Sequence, residues 1–334
     1  MAGTWWLMLL CLARGARACQ GVSTVDISSY VVNGSDEEKR ATREAFDEAM
    51  RTIGMACISG HGVALSVIEE AEEAALLFFQ SEAKWRFGDA ETYGTEGYTG
   101  LGVEAVARSA GRTNAPPDVV ESFVLKHRPD KSALEEPFLS KATNYWDELT
   151  RVFNSLLEVS ADILNVDRNI FTSAYGDNDG RALRFAHYPP QTTPTDAKRY
   201  GLHTDYLTFT ILRATKPGLQ VELDDGTLRD VLPQNDTLLV NAADLTELWT
   251  NGRWRSAPHQ VITHTLPSED RSSIAFFTGP KDATLITPIL QPGEDTTQKF
   301  QPVIAGEYLL KKISPTTVHD DDASSSSEEN HREL

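Results

Sequence analysis

Between Arg181 and Pro280 the chain repeats short apolar or alternating runs, split by turn signals at Asp224-Asp225-Gly226 and Asn251-Gly252. Strand-length runs punctuated in this way narrow the choice to a two-sheet barrel or jelly roll. Within it, Gly201 to Asp205 reads as a strand in which side chains two apart share a face, so His203 and Asp205 converge while Thr204 points away. The Asn251-Gly252 pair is a hairpin signal that returns the chain as a strand through Pro258-His259-Gln260-Val261, which makes His259 the best third partner. Two imidazoles and one carboxylate on a metal leave positions open and suit iron(II) used for oxygen chemistry. Further along, Arg271-Ser272-Ser273 sets a guanidinium and a hydroxyl on one strand face, a clamp for a carboxylate.

The segments His203-Thr204-Asp205, Gly218 to Val221, Val240-Asn241 to Gly252, Pro258 to Val261 and Arg271 to Phe277 stand in an order and spacing that resemble one family. It is the isopenicillin N synthase-like family of iron(II)- and 2-oxoglutarate-dependent oxygenases, and the resemblance runs from about Val25 to about Ile313. It implies a mixed α and β fold with a double-stranded β-helix (jelly-roll) core and flanking helices. It also implies that His203, Asp205 and His259 hold iron(II), and that Arg271, Ser273 and Tyr188 hold 2-oxoglutarate. O2 is then the second co-substrate and ascorbate an optional reductant, with no catalytic side chain needed beyond the metal centre. Two positions depart from the family pattern: Ala186 stands where an Asn is frequent, and Gln260 where an Arg commonly follows the distal His.

The implied reaction oxidises a small organic molecule by hydroxylation, desaturation or cyclisation while 2-oxoglutarate is decarboxylated to succinate. Two other readings stay open. One is a relative that needs no 2-oxoglutarate and grips its substrate's own carboxylate through Arg271 and Ser273, as isopenicillin N synthase does. The other is a catalytically silent barrel that binds a ligand. Peptidyl prolyl hydroxylases share the barrel but typically carry Lys at the place of Arg271, so the sequence sides with the small-molecule branch.

The chain of 334 residues is 40% hydrophobic and 24% charged, values of a soluble globular protein. Its net charge of −18 argues against nucleic acid or an anionic membrane as partner. Residues 1–18 read as a signal peptide, with an apolar run from Trp5 to Ala13 too short to span a bilayer and Ala16-Arg17-Ala18 as cleavage site. The acidic tail, from residue 314 to 334, is expected to be disordered. It closes on His331-Arg332-Glu333-Leu334, which resembles KDEL-type retrieval signals except for Arg332. Together the two ends favour the endoplasmic reticulum lumen or secretory pathway, with a KDEL-type receptor as partner and no membrane contact after signal removal. An organelle reached through a bipartite leader, or the cytoplasm, are the alternatives. Asn33 and Asn235 open sequons that fit the lumen. Cys19 and Cys57 make one possible pair, and Cys57 within Met55-Ala56-Cys57-Ile58 reads most simply as a buried small hydrophobe.

The rest of the chain divides into an amino-terminal family domain over 22–130, a helical spine over 131–180 and the barrel over 181–313. Expected elements are a strand at Thr24 to Ser28, a helix at Asp36 to Ile53 opened by a Ser35/Glu38 capping box, and a strand from Met55 running into His61 and Gly62. A helix from Leu65 to Lys84, a strand at Glu121 to Leu125, a long amphipathic helix from Leu139 to Asn165 and a last helix at Gly306 to Ile313 follow. His61 reads as a backbone-bonding residue, and His187 and His264 as polar surface or supporting residues. Asp244 is expected to tie the turn before the Asn-Gly hairpin. Tyr93, Tyr98 and Arg108 are pocket candidates in a Gly-rich stretch whose simpler reading is a solvent-facing loop.

Overall fold

Ser35 opens the first long helix as expected: its hydroxyl accepts from the Glu38 N–H at 3.4 Å while the Glu38 carboxylate accepts from the Ser35 N–H at 2.8 Å. The computed structural model describes residues 19–87, 96–129, 134–176, 179–191, 198–214, 216–232, 234, 236–262, 269–291 and 297–316. Tyr93, His264, Asn235, residues 1–18 and the tail beyond 316 lie outside the described residues.

In the amino-terminal segment β1 (Thr24–Asp26) leads through the single turn α1 (Ser28–Val31) and α2 (Asp36–Thr52) to β2 (Met55–Ser59) and α3 (Leu65–Gln80). The helix expected to reach Lys84 stops earlier, because Ser81 is extended (φ −95°, ψ 155°), and its hydroxyl donates to the Phe78 carbonyl and accepts from the Ala83 N–H. A 3-10 turn, Glu82–Phe87, takes over, followed by β3 (Gly97–Thr99), a second 3-10 turn at Val106–Ala110, and β4 (Glu121–Leu125). Next come α4 (Phe138–Leu164), ended by Asn165 in the left-handed region at φ 48°, and α5 (Asn169–Thr172).

The strand-rich half holds β5 (Ala182–Tyr188), β6 (Tyr200–His203), β7 (Phe209–Ala214), β8 (Leu219–Glu222), β9 (Leu228–Val231) and β10 (Leu238–Ala242). It continues through α6 (Asp244–Trp249), β11 (His259–Val261) and β12 (Arg271–Thr278) to the short β13 (Leu285–Ile286), β14 (Val303–Ile304) and α7 (Ala305–Ile313). Eight strands form one sheet in the order β1-β2-β10-β7-β12-β5-β4-β3, and four form a second in the order β6-β11-β8-β9. All of these pairings are antiparallel except β1 with β2.

Alternation along the strands sorts side chains into two cores. Leu183, Phe185, Ile274 and Phe276 face α4, where Trp146 meets Phe276 edge-on at 5.1 Å and Phe138 meets Phe185 at 5.0 Å. Burying each such ring contributes roughly 1.5–3 kcal/mol. Ala186, Tyr188 and Leu239 face the other way and pack with Leu219, Val221 and Val261 of the smaller sheet. That second core is the interior of the double-stranded β-helix, flanked by helices on one side, as the sequence implied.

Four expectations are corrected. No hairpin joins β10 to β11, which lie in different sheets. Leu245, Leu248 and Trp249 fall on one helical face and bury, so α6 forms, and Asn251 (φ 54°) with Gly252 (φ 77°) closes it instead, Gly252 N–H donating to the Glu247 carbonyl at 2.7 Å. Cys57 is more than a buried hydrophobe: it is disulfide-bonded to Cys19, which is brought near when the entry segment runs beside β2 and the Cys57 N–H bonds the Ser23 carbonyl. Tyr98 is buried in β3 with its hydroxyl on Glu121, and does not face solvent. The tail begins later than residue 314, since Ser314–Thr316 forms a 3-10 turn with Thr316 fully buried.

Candidate metal centre

His203 and His259 face each other directly across the β6–β11 pair, their ring centroids 4.4 Å apart. Each imidazole donates its Nδ1–H to the carbonyl two residues earlier, His203 to Gly201 at 2.8 Å and His259 to Ala257 at 2.9 Å. That shared device leaves both Nε2 atoms as the lone-pair nitrogens, and both aim at Asp205: Oδ1 lies 3.5 Å from Nε2 of His203 and 3.7 Å from Nε2 of His259. One ligand atom from each of the three residues lies within 4.8 Å of the others, and all three residues are buried. Contrary to expectation, β6 ends at His203, and Asp205 sits in the irregular segment beyond it. Its direction comes from Oδ2, which accepts from Thr210 Oγ1 at 2.5 Å and Asn241 Nδ2 at 2.8 Å.

Burial alone would push the Asp205 carboxyl up. His259, His203 and the Thr210 hydroxyl outweigh it, and the group is held well below the usual carboxylate range. Burial and then the neighbouring His203 lower the His259 imidazole, favouring its neutral form. An anionic oxygen and neutral imidazole nitrogen on one face match the donor set of an iron(II) oxygenase site.

Tyr188, Arg271 and Ser273 line the same cavity. Arg271 and Tyr188 are cross-strand partners on β12 and β5, with the guanidinium 4.7 Å from the phenol ring centre, and the Ser273 hydroxyl lies 3.5 Å from the Tyr188 hydroxyl. Arg271 is only 2% exposed, yet its Nη1 has no hydrogen-bond partner. A buried guanidinium with an idle N–H fits a carboxylate that arrives with a ligand. Ala186 faces Ser273 across the strands and adds no polar atom, while Gln260 donates to Gln220 on β8 at 2.9 Å.

The remaining candidates take other roles. His61 accepts the Val63 N–H at 3.1 Å through Nδ1, as expected of a backbone-bonding residue. His187 bridges Glu121 and Asp270, both at 2.6 Å. Asp244 accepts from Ser256 and from Tyr308 and Lys312 of α7, tying the carboxy-terminal helix to the centre rather than a hairpin turn. Arg108 donates to the Ala115 carbonyl.

Sequence reasoning missed Thr210 and Asn241, and also Asp118, which accepts the Gly201 N–H at 2.8 Å and the Val106 N–H at 2.8 Å and so holds in place the residue whose carbonyl orients His203. Gly201 is required there, since a Cβ would meet the Ala107 Cβ at 2.8 Å. Arg184, ion-paired to Glu104 at 2.8 Å and 4.9 Å from the Tyr200 ring centre, also lines the cavity.

Residues 167–280 match the 2OG-Fe(II) oxygenase superfamily, and residues 22–148 match the family described as non-haem dioxygenase in morphine synthesis N-terminal. The chain is 30% identical over 273 residues to the gibberellin 2-beta-dioxygenase of Phaseolus coccineus, covering 75% of this chain and 78% of that protein. The chain belongs to the 2OG-Fe(II) oxygenase superfamily. This oxygenase is also similar to the clavatol oxidase claD of Penicillium crustosum, 26% identical over 323 residues that cover 87% of this chain and 95% of that one. Among solved structures, it resembles a full-length Neurospora crassa protein in complex with alpha-KG, with a TM-score of 0.75 and 25% identity over 88% of this chain and 96% of that chain. The 2OG-Fe(II) oxygenase therefore works with iron(II), 2-oxoglutarate and O2.

Proposed function

We propose that this 2OG-Fe(II) oxygenase oxidises a small organic molecule, with His203, Asp205 and His259 holding iron(II) and Arg271, Ser273 and Tyr188 holding the distal carboxylate of 2-oxoglutarate. One observation carries the reading: a His-Asp-His set and a buried guanidinium with an idle N–H share a single cavity. Iron and co-substrate, when bound, supply the oxidation of a C–H bond. The chain's own residues fix both imidazole tautomers, keep Asp205 anionic and exclude bulk water from the ligands. The relatives named for clavatol and gibberellin support a small-molecule substrate and single out none. Anaerobic addition of iron(II) with and without 2-oxoglutarate tests the assignment. A weak visible band that needs both is expected, and bound iron without that band would favour an oxidase that dispenses with 2-oxoglutarate.

The Cys19–Cys57 disulfide supports a second part of the reading, that the protein matures in the secretory pathway and is retained in the endoplasmic reticulum lumen by a KDEL-type receptor. Deleting Leu334 should then send the protein out of the cell, and continued retention would argue for another address.

A further inference from the structure

The turn between α1 and α2 presents Asn33-Gly34-Ser35, the acceptor pattern for an N-linked glycan, at the surface. Asn33 and Ser35 are both exposed, and Asn33 sits in the left-handed region at φ 54°, which asparagine tolerates in tight turns. The tripeptide is held from both sides. Gly34 donates its N–H to the Ser29 carbonyl at 2.7 Å, and Ser35 is locked into the cap of α2. The two ends of the Asn33 amide differ: Oδ1 accepts from Lys39 Nζ at 2.8 Å, while Nδ2 has no partner among the described residues. The nitrogen that accepts a sugar is thus the atom the protein leaves unused.

The second sequon is closed by folding. Thr237, its third residue, is 1% exposed, with its hydroxyl donating to the Gln234 carbonyl at 3.2 Å and lying 3.3 Å from Cys19 Sγ of the disulfide. That hydroxyl is out of reach once the chain has folded, whereas Ser35 stays at the surface.

We propose that Asn33 carries an N-linked oligosaccharide. The assignment rests on the secretory-pathway reading above. The co-reactant is an oligosaccharide carried on a polyprenyl diphosphate. A bond forms between Asn33 Nδ2 and C1 of the first sugar, the bond from C1 to the diphosphate oxygen breaks, Nδ2 gives up one proton, and the lipid diphosphate leaves; nothing is oxidised or reduced. No residue of this turn lines the cavity of the metal centre, so variants here leave the oxygenase site intact.

The test is cell-free translation of the full chain with microsomes, in which resistance to added protease reports entry into the lumen and a glycosidase-sensitive mobility shift reports the glycan. The protected parent should shift, and Asn33→Gln should lose one glycan step while staying protected. Ser35→Thr should keep the step. Ser35→Asp should lose it although aspartate still caps α2, which separates the sequon from the start of the helix. Because spontaneous deamidation of Asn33-Gly34 also leaves aspartate, the glycosidase digest is run in heavy-oxygen water, and the Asn33 peptide should take up the label. A protected parent that runs level with Asn33→Gln, or an Asn33 peptide without label, overturns the assignment. A parent that stays open to protease overturns instead the secretory reading, and this assignment with it.

Discussion

At the scale of single residues, Asp205 divides its work between two oxygens. Oδ1 faces the imidazoles, and Oδ2 is held by Thr210 and Asn241. Asp205→Ala or His203→Ala should therefore abolish iron binding and oxygen uptake while leaving the circular dichroism of the fold in place. Asn241→Ala should lower iron affinity by roughly ten- to a hundredfold, because the carboxylate keeps its charge and loses one of two restraints. An iron titration that could not distinguish the Asn241 variant from its parent would remove Asn241 from the centre. The three ligands and the clamp were legible in sequence because each sits in a short motif. Thr210 and Asn241 were not, because they meet only through the pairing of β7 with β10.

At the scale of elements, β4, β5 and the segment leading into β12 are tied by one charged network through Glu121, His187 and Asp270. Burial alone would lower the His187 pKa, but Glu121 and Asp270 outweigh it and raise the group above its ordinary 6.5. Burial alone would raise Glu121, but His187, Tyr98 and Lys84 bring it down to about 2. The His187 contribution is thus complete below about pH 6.5 and fades as pH rises through the raised folded value, whereas the Glu121 contribution is complete above its ordinary 4.5 and is lost toward pH 2. Urea midpoints of the parent and His187→Asn should differ most between about pH 5 and 6.5 and converge in alkaline buffer. A constant gap across that range would show that the ring matters for packing against Phe79, on which it stacks at 5.4 Å, and not for charge. The helices were largely legible from periodicity and the Ser35 cap. The α6 helix was hidden because six residues are too few to show a period, while the Asn-Gly pair beside it speaks for a hairpin.

Across the whole molecule, the disulfide closes a separation of 38 residues between the entry segment and β2. In chain-entropy terms a loop of that size contributes about 4 kcal/mol. Adding reductant should lower the urea midpoint of the parent and leave Cys57→Ala unaffected; no shift in the parent would show that the bridge adds nothing to stability. The jelly roll itself was legible from strand spacing and family motifs. Its pairing was not, since a sequence shows runs of strand and leaves their neighbours open.

The amino-terminal segment supplies both margins of the large sheet, β1 and β2 beyond β10, and β4 and β3 beyond β5. Asn241, which steadies Asp205, lies on β10 with β2 as its outer neighbour. A fragment starting at residue 167 would bare the backbone of β10 and β5 to other chains, and should precipitate rather than bind iron. The two halves are consequently poor units for recombination. A chimera that joins the first half of one relative to the second half of another must match strand edges on both flanks at once, so new specificities are more readily reached by changing residues within an intact chain than by trading halves.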